Sequence, residues 1–169
     1  MRMLRFSGYL FVVLLVVTAV VMGVGSRLPV EHRAVATAVI AAPQERVWAL
    51  ITDVGAQPGW RTGLKAVEML PEGHGGPCWR EVQTGMAMPL CVEASGAMTR
   101  RVVRIADPAL PFGGTWTYEL EAAGAGATKV TITENGTTGP AMWRFAGHYL
   151  MGEDSQVKQY LQDLEKRSR

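Results

Sequence analysis

Apolar residues divide the chain into a hydrophobic N-terminal run and a longer region of mixed pattern. The run, Phe6–Ser26, is twenty-one residues long and carries no charge, which is about the length that a helix needs to cross the apolar core of a bilayer. Eleven Val, Leu and Phe residues lie between Leu10 and Val24. At roughly −0.3 to −0.6 kcal/mol each, they favour insertion by about 3–7 kcal/mol. The pattern predicts that residues 6–26 span the lipid bilayer as one helix.

The charges around this run predict its orientation. Arg2 and Arg5 precede it together with the terminal amine, whereas the positive charges of Arg27 and Arg33 are offset by Glu31. The positive-inside rule therefore predicts a single-pass protein with a cytoplasmic N-terminus and its remaining residues on the outer side of the membrane.

A cleaved signal peptide is the alternative interpretation of the same run. A charged start, an apolar stretch and the small residues of Gly23-Val24-Gly25 also fit a secretory signal. The run is longer than the usual signal core, which favours an anchor, and both interpretations export the domain. The sequence divides into an anchor over residues 1–26, a linker over 27–33 and one domain over 34–169.

Beyond the linker, alternating apolar and polar residues predict a first strand, His32–Ala42, and six more strands later in the chain. The six are Ala66–Leu70, Cys78–Gln83, Met86–Glu93, Arg100–Ala106, Gly114–Glu121 and Lys129–Asn135. The links between them are short and rich in turn residues, which is typical of an antiparallel meander.

Helical spacing occurs in two places. After the first strand, Pro43 suits a first helical position, and apolar residues recur from Val47 to Val54 before Gly55–Pro58 ends the helix. A second short helical turn comes next. Near the end of the chain, one long helix is predicted from about Ala141 to Lys166, because its apolar residues form a continuous stripe.

Two cysteines lie in neighbouring predicted strands. A two-residue turn at Thr84-Gly85 places Cys78 directly opposite Cys91, in a pair whose side chains approach closely. In an exported domain this favours a disulfide. A turn of another length would break the register and leave two buried thiols.

Several segments together resemble the START-related SRPBCC superfamily, whose members are often labelled polyketide cyclase/dehydrase-like. The segments are VIAAPQERVWALITD from Val39 with the later Pro58-Gly-Trp60, then Gly113–Leu120, Thr131–Gly136, Trp143–Phe145 and Tyr160–Leu161. The resemblance covers residues 34–166 and depends on the order and spacing of these segments.

The resemblance implies an α+β helix-grip fold, in which a curved antiparallel sheet of about seven strands wraps a long C-terminal helix. Two short helices come after the first strand. The resemblance also implies a cavity between sheet and helix for a lipid, a polyketide or a similar apolar molecule. Members include transfer proteins, ligand sensors and some cyclases or dehydratases. Gly139-Pro140 stands where members often have Asn-Pro, a departure from the family at the entry into the last helix.

Alternation along the strands and the stripe of the last helix predict an aromatic and Met-rich wall that contacts the ligand. The predicted wall residues are Trp60, Trp79, Glu81, Met88, Leu90, Trp116, Tyr118, Met142, Phe145 and Tyr149. The alternative is that these side chains simply form a filled core.

Two wall residues are candidates for catalysis. An unpaired Glu81 in apolar surroundings could bind a polar group or transfer a proton, and Tyr118 is the other candidate for proton transfer. The alternative is that Glu81 pairs with Arg100 or Arg104, or reaches water at an open end.

Composition gives little support to other chemistry. A net charge of +2 does not indicate nucleic-acid binding. His32, His74 and His148 lack metal-ligand spacing, so we expect no metal. We also expect no cofactor and a monomeric protein. The leading hypothesis is a membrane-tethered domain that binds or shuttles an apolar small molecule without catalysis. A cyclase or dehydratase using the same cavity and a protein-interaction module of the cell envelope are the alternatives.

Overall fold

A computed structural model describes residues 2–73, 76–152 and 154–169 of the chain, and their side chains from Tyr9 onward except that of Met151. It contains one seven-stranded antiparallel sheet in the order β1-β7-β6-β5-β4-β3-β2. The strands are β1 Glu31–Ile40, β2 Leu64–Gly73, β3 Gly76–Gln83, β4 Met86–Gly96, β5 Arg100–Ile105, β6 Phe112–Ala122 and β7 Thr128–Thr138. The predicted α+β fold with a seven-stranded meander is confirmed.

In the described part of the chain, four α-helices accompany the sheet: α1 Arg2–Arg27, α2 Gln44–Thr52, α3 Ala141–Ala146 and α4 Ser155–Ser168. A 3-10 turn, Val54–Gly59, comes after α2, as the two short predicted helices require. A single π turn, Gly147–Met151, comes after α3.

The prediction of one continuous closing helix is wrong in detail. Gly152 has a φ of 78°, a left-handed conformation that glycine adopts without steric cost. The chain therefore leaves the helical path after the π turn and begins again as α4. As a result, the apolar stripe is buried along α4, whereas Met142 and Tyr149, which precede the break, are exposed.

The core lies between the inner face of the sheet and α4. Val157, Leu161 and Leu164 are buried on one side of α4, which packs against β1 and β7. Full burial of each such side chain contributes about 1.5–3 kcal/mol. α4 is also tied to the segment before β2, because the buried carboxylate of Asp163 accepts hydrogen bonds from the Thr62 backbone N–H and hydroxyl at 2.7 and 3.0 Å.

The β3–β4 hairpin has the register that the Thr84-Gly85 turn predicts. Gln83 pairs with Met86, and Cys78 stands opposite Cys91. The structure joins these two cysteines by a disulfide, and Cys78 is buried.

Helix α1 is long and apolar enough to cross a membrane from Tyr9 to Arg27, by length and composition. Nearly all of this stretch is exposed. Its last turn packs on α3, where Gly25 is buried against the backbone of Ala141 so closely that a Cβ at this position would clash with the Ala141 carbonyl. The Arg144 Nε–H also donates to the Gly25 carbonyl at 2.9 Å. α1 therefore has a defined junction with the domain.

Candidate ligand-binding cavity

A cavity of about 890 Å³ lies between the sheet and the segment that runs from α3 to the start of α4. Its volume falls within the range of about 300–1,000 Å³ that is usual for small-molecule sites. The interior is therefore not the filled core that was the alternative prediction.

Six of the ten predicted wall residues line this cavity, and all six come from strands. They are Trp79, Glu81, Met88, Leu90, Trp116 and Tyr118. The strands hold them on one face because side chains two residues apart point to the same side of a sheet. Cross-strand pairing brings Trp79 opposite Leu90 and Glu81 opposite Met88.

The other four predicted wall residues do not line the cavity. Trp60 packs instead on Tyr160, at 5.7 Å between ring centroids. Met142 and Tyr149 are 53% and 55% exposed, and Phe145 contacts Tyr149 at 5.0 Å.

Met142, Phe145 and Tyr149 were predicted to face the cavity. This prediction is wrong, because the helix that was expected to cover the sheet is interrupted. The adjacent face of α3 and the π turn borders the cavity instead. It contributes Trp143, Arg144, Gly147 and His148.

The buried end of the cavity, here called the floor, contains an ion pair between Arg61 and Glu81. Nη1 of Arg61 lies 2.5 Å from Oε1 of Glu81, and Nη2 lies 3.1 Å from Oε2. Glu81 is only 2% exposed, as its inward assignment predicts. Glu81 therefore pairs with an arginine, as the alternative prediction states, but the partner is Arg61 rather than Arg100 or Arg104.

A hydrogen-bonded chain connects this pair to the end of α2. The Gln57 side chain accepts from Arg61 Nη1 at 2.8 Å and donates to the Ile51 carbonyl at 3.1 Å. Arg101 Nη1 donates to the same carbonyl at 3.0 Å. The last carbonyls of a helix lack intrahelical partners, so the end of α2 supplies an acceptor that fixes both polar side chains in the floor.

Two tyrosines lie beside these charges. Tyr118 stands opposite Arg101 in the β5–β6 register, and its ring centroid is 5.4 Å from that of Tyr160. Burial raises the pKa of Tyr118 well above its ordinary value of 10. Burial also raises the pKa of Tyr160 to about 12, although Arg61 opposes the change. Both hydroxyls stay protonated at neutral pH and can donate hydrogen bonds.

The pKa values of the two floor arginines, Arg61 and Arg101, are shifted in opposite directions. Burial acts to lower the pKa of Arg61, but the Glu81 carboxylate and the tyrosines outweigh it and the net change is upward. Burial lowers the pKa of Arg101, with only partial opposition from Tyr118 and Tyr160. Arg101 therefore lacks the compensation that Glu81 gives to Arg61.

The exposed part of the cavity lining, here called the rim, includes Pro29 and Trp143. Elsewhere in the lining, His32 Nε2 lies 3.5 Å from a carboxylate oxygen of Glu134. Burial raises the pKa of Glu134, while His32 opposes that change.

Sequence reasoning missed Arg61 and Arg101 as cavity residues. Arg61 lies in a link without periodicity, so no pattern could assign its direction. Arg101 could have been found, because it alternates with Val103 and Ile105 along β5, and both of these also line the cavity. Within the described residues, no group of three or more His, Cys, Asp or Glu side chains could hold a metal. His74 lies outside the described residues.

A curved antiparallel sheet that encloses a cavity against C-terminal helices defines a START-like, helix-grip protein. A family profile described as polyketide cyclase / dehydrase and lipid transport matches residues 31–169, and the chain belongs to this family. Helix α1 lies outside the match. No functionally curated protein is matched by the sequence.

Solved structures share the fold at low sequence identity. A START superfamily protein from Mycobacterium smegmatis is 17% identical with a TM-score of 0.64, and the alignment covers 81% of this chain and 97% of that one. The Zhui aromatase/cyclase from a Streptomyces species is 15% identical with a TM-score of 0.65, covering 82% and 93%. Norcoclaurine synthase from Thalictrum flavum is 11% identical with a TM-score of 0.62, covering 82% and 86%.

Proposed function

We propose that this protein is a membrane-tethered domain that binds or shuttles an apolar small molecule in the cavity. The observation that carries the proposal is the cavity itself, whose wall combines aromatic and Met side chains with a few polar groups at the floor. Small-molecule sites have this composition, and Met adapts readily to ligands of irregular shape.

The position of α1 supports the tether. α1 ends at Arg27, and the next two residues, Leu28 and Pro29, contribute to the cavity lining. An α1 helix inserted in a bilayer would therefore hold the rim close to the membrane surface, where apolar molecules are concentrated.

The exposed apolar residues of α3 and the π turn support the same arrangement. Met142, Trp143, Tyr149 and Leu150 are all more than half exposed, and the first two belong to α3, which α1 contacts. Trp and Tyr favour the membrane–water interface. In a tethered protein this segment would lie against the headgroups.

A cyclase or dehydratase is the second candidate function, because Glu81 and Tyr118 both line the cavity. The geometry gives it less support. Arg61 engages both oxygens of Glu81, and the raised pKa of Tyr118 makes that hydroxyl a donor rather than a base at neutral pH. The ion pair and the tyrosine are better suited to holding a ligand than to removing its proton.

Native mass spectrometry of the full-length protein, purified gently in detergent, tests the binding proposal. We expect an apolar molecule of discrete mass to remain bound. Met88→Trp should weaken its retention by narrowing the cavity, whereas Ala87→Trp, on the exposed face of the same strand, should not. A protein that neither retains a co-purified apolar molecule nor binds an added one would contradict the proposal.

The intact mass of protein extracted from membranes tests the tether separately. An uncleaved chain that is removed only by detergent is expected. A chain that begins near Ser26 and is found in the soluble fraction would establish the signal-peptide alternative and reject the tether.

A further inference from the structure

Arg101 is a buried cation that the protein leaves without a carboxylate partner. It is 5% exposed and lines the floor of the cavity. Over the residues that the structure describes, no Asp or Glu oxygen lies within 4.0 Å of its guanidinium. A buried charge without a partner is costly, so native proteins rarely contain one unless a ligand compensates it.

Most of the hydrogen-bonding capacity of Arg101 is also unused. A guanidinium has five N–H donors, and a single bond, from Nη1 to the Ile51 carbonyl, is made within the described part of the chain. The indole of Trp79 supports the guanidinium from one side, with 5.4 Å between its carbon and the ring centroid. A cation–π contact of this kind occupies none of the remaining donors.

The neighbouring charges do not neutralise Arg101. Arg61 and Glu81 form a closed pair with no net charge. Glu134 is paired with His32 and lies two strands away and two residues along from Arg101 in the β5–β6–β7 register, which is about 12 Å between Cα atoms by strand geometry. The floor therefore carries one uncompensated positive charge.

We infer that the natural ligand is an amphipathic carboxylic acid, with its carboxylate on Arg101 and its apolar body along Met88 and Trp116 towards the rim. The inference rests on the proposed function and names its ligand class. A guanidinium matches a carboxylate through two parallel hydrogen bonds. One cation suits a monoanion better than a phosphate monoester, which carries about −1.5 to −2 charge at pH 7 and more acceptors.

The test compares dodecanoate with dodecanol, which share a chain and differ in the charged group. Binding to the full-length protein in lipid nanodiscs is measured by isothermal titration calorimetry, with heats from empty nanodiscs subtracted. We expect the acid to bind about 10- to 100-fold more tightly than the alcohol, the range for a hydrogen-bonded charge.

Substitutions test whether Arg101 causes the preference for dodecanoate over dodecanol. Arg101→Gln should remove the preference for the acid while leaving dodecanol binding within about 2-fold, and Arg101→Lys should retain part of it. Retained dodecanol binding reports that the variant is folded. Arg100→Gln is the matched control, since Arg100 is adjacent in β5 but exposed, and it should bind both molecules like the parent protein.

The outcomes separate the inference from the proposed function. Equal binding of acid and alcohol by the parent protein would overturn the inference and leave the proposed function standing. A preference for the acid that survives in Arg101→Gln would overturn the role of Arg101. Failure of both molecules to bind would overturn the inference and count against the proposed function as well.

Discussion

Arg61 engages both carboxylate oxygens of Glu81 inside the cavity, at 2.5 and 3.1 Å. The two residues lie twenty positions apart in the sequence, one in the link before β2 and the other on β3. The pair thus joins that link to the sheet at the buried end of the cavity. Glu81, the one acidic side chain on the inner face of β3, therefore has a structural role.

Glu81→Gln should destabilise the domain, because it leaves the Arg61 guanidinium buried without its anion. Loss of one partner of a buried pair costs about 3–5 kcal/mol, measured here as the free energy of unfolding in urea. Glu68→Gln is the matched control, since Glu68 pairs with Arg80 on the exposed surface, and it should cost about 0–1 kcal/mol. Equal effects of the two substitutions would show that the Glu81 pair is not a structural link.

The disulfide between Cys78 and Cys91 should stabilise the domain without determining its register. The double variant Cys78→Ser with Cys91→Ser should lose about 2–4 kcal/mol, because the bond closes a short loop with a sequence separation of 13. The hairpin should persist, as its turn and ladder remain.

The oxidation state of the same two cysteines indicates on which side of the membrane the domain lies. Alkylation of intact cells before lysis should leave Cys78 and Cys91 unmodified, since an exported domain is oxidised. Alkylated cysteines in the mature protein would contradict the outer-side placement of the domain.

Gly25→Ala should loosen the junction between α1 and α3. A methyl group at Gly25 would clash with the Ala141 carbonyl, whereas nothing lies within 4 Å of a Cβ at Gly23. Alanine favours the helix itself at both positions, so the comparison isolates the contact. Hydrogen–deuterium exchange of Ala141–Ala146 should accelerate in Gly25→Ala and stay at the parent rate in Gly23→Ala. Unchanged exchange in both variants would show that α1 does not hold α3.

The raised pKa of Glu134 predicts that the free energy of unfolding depends on pH. Burial raises the pKa of this carboxyl above its ordinary value of 4.5, so the folded state binds the proton more tightly than the unfolded state. The resulting stability is present below about pH 4.5 and is lost as the pH rises through the raised pKa. Glu134→Gln should therefore match the parent protein at low pH and exceed its free energy of unfolding at neutral pH. A difference that is constant across a pH series would contradict this.

The strands could be predicted better than the last helical region. Alternation assigns Trp79, Met88 and Trp116 to one face because the strand period is fixed at two, and the Thr84-Gly85 turn fixes the hairpin register. The stripe through Met142 and Tyr149 has the correct helical period, but because of the break at Gly152 only its later part, on α4, is buried. A single glycine near the middle of a periodic run does not reveal a left-handed conformation.

Of the floor charges, Arg61 could not be predicted, for a different reason. The partner of Glu81 comes from a link without periodicity, so its direction depends on the tertiary fold rather than on local pattern. The assignment of Glu81 to the inner face needed only alternation, which is why that part could be predicted and its partner could not.

Photolabelling tests the central claim, that the cavity holds an apolar ligand, most directly. The full-length protein in lipid nanodiscs is irradiated with hexadecanoic acid that carries a diazirine on its chain, and the labelled peptides are mapped. We expect label on the strand segments that contain Met88 and Trp116, reduced by Met88→Trp and by excess unlabelled acid. Label confined to α1, with these strand segments unmodified, would contradict the account.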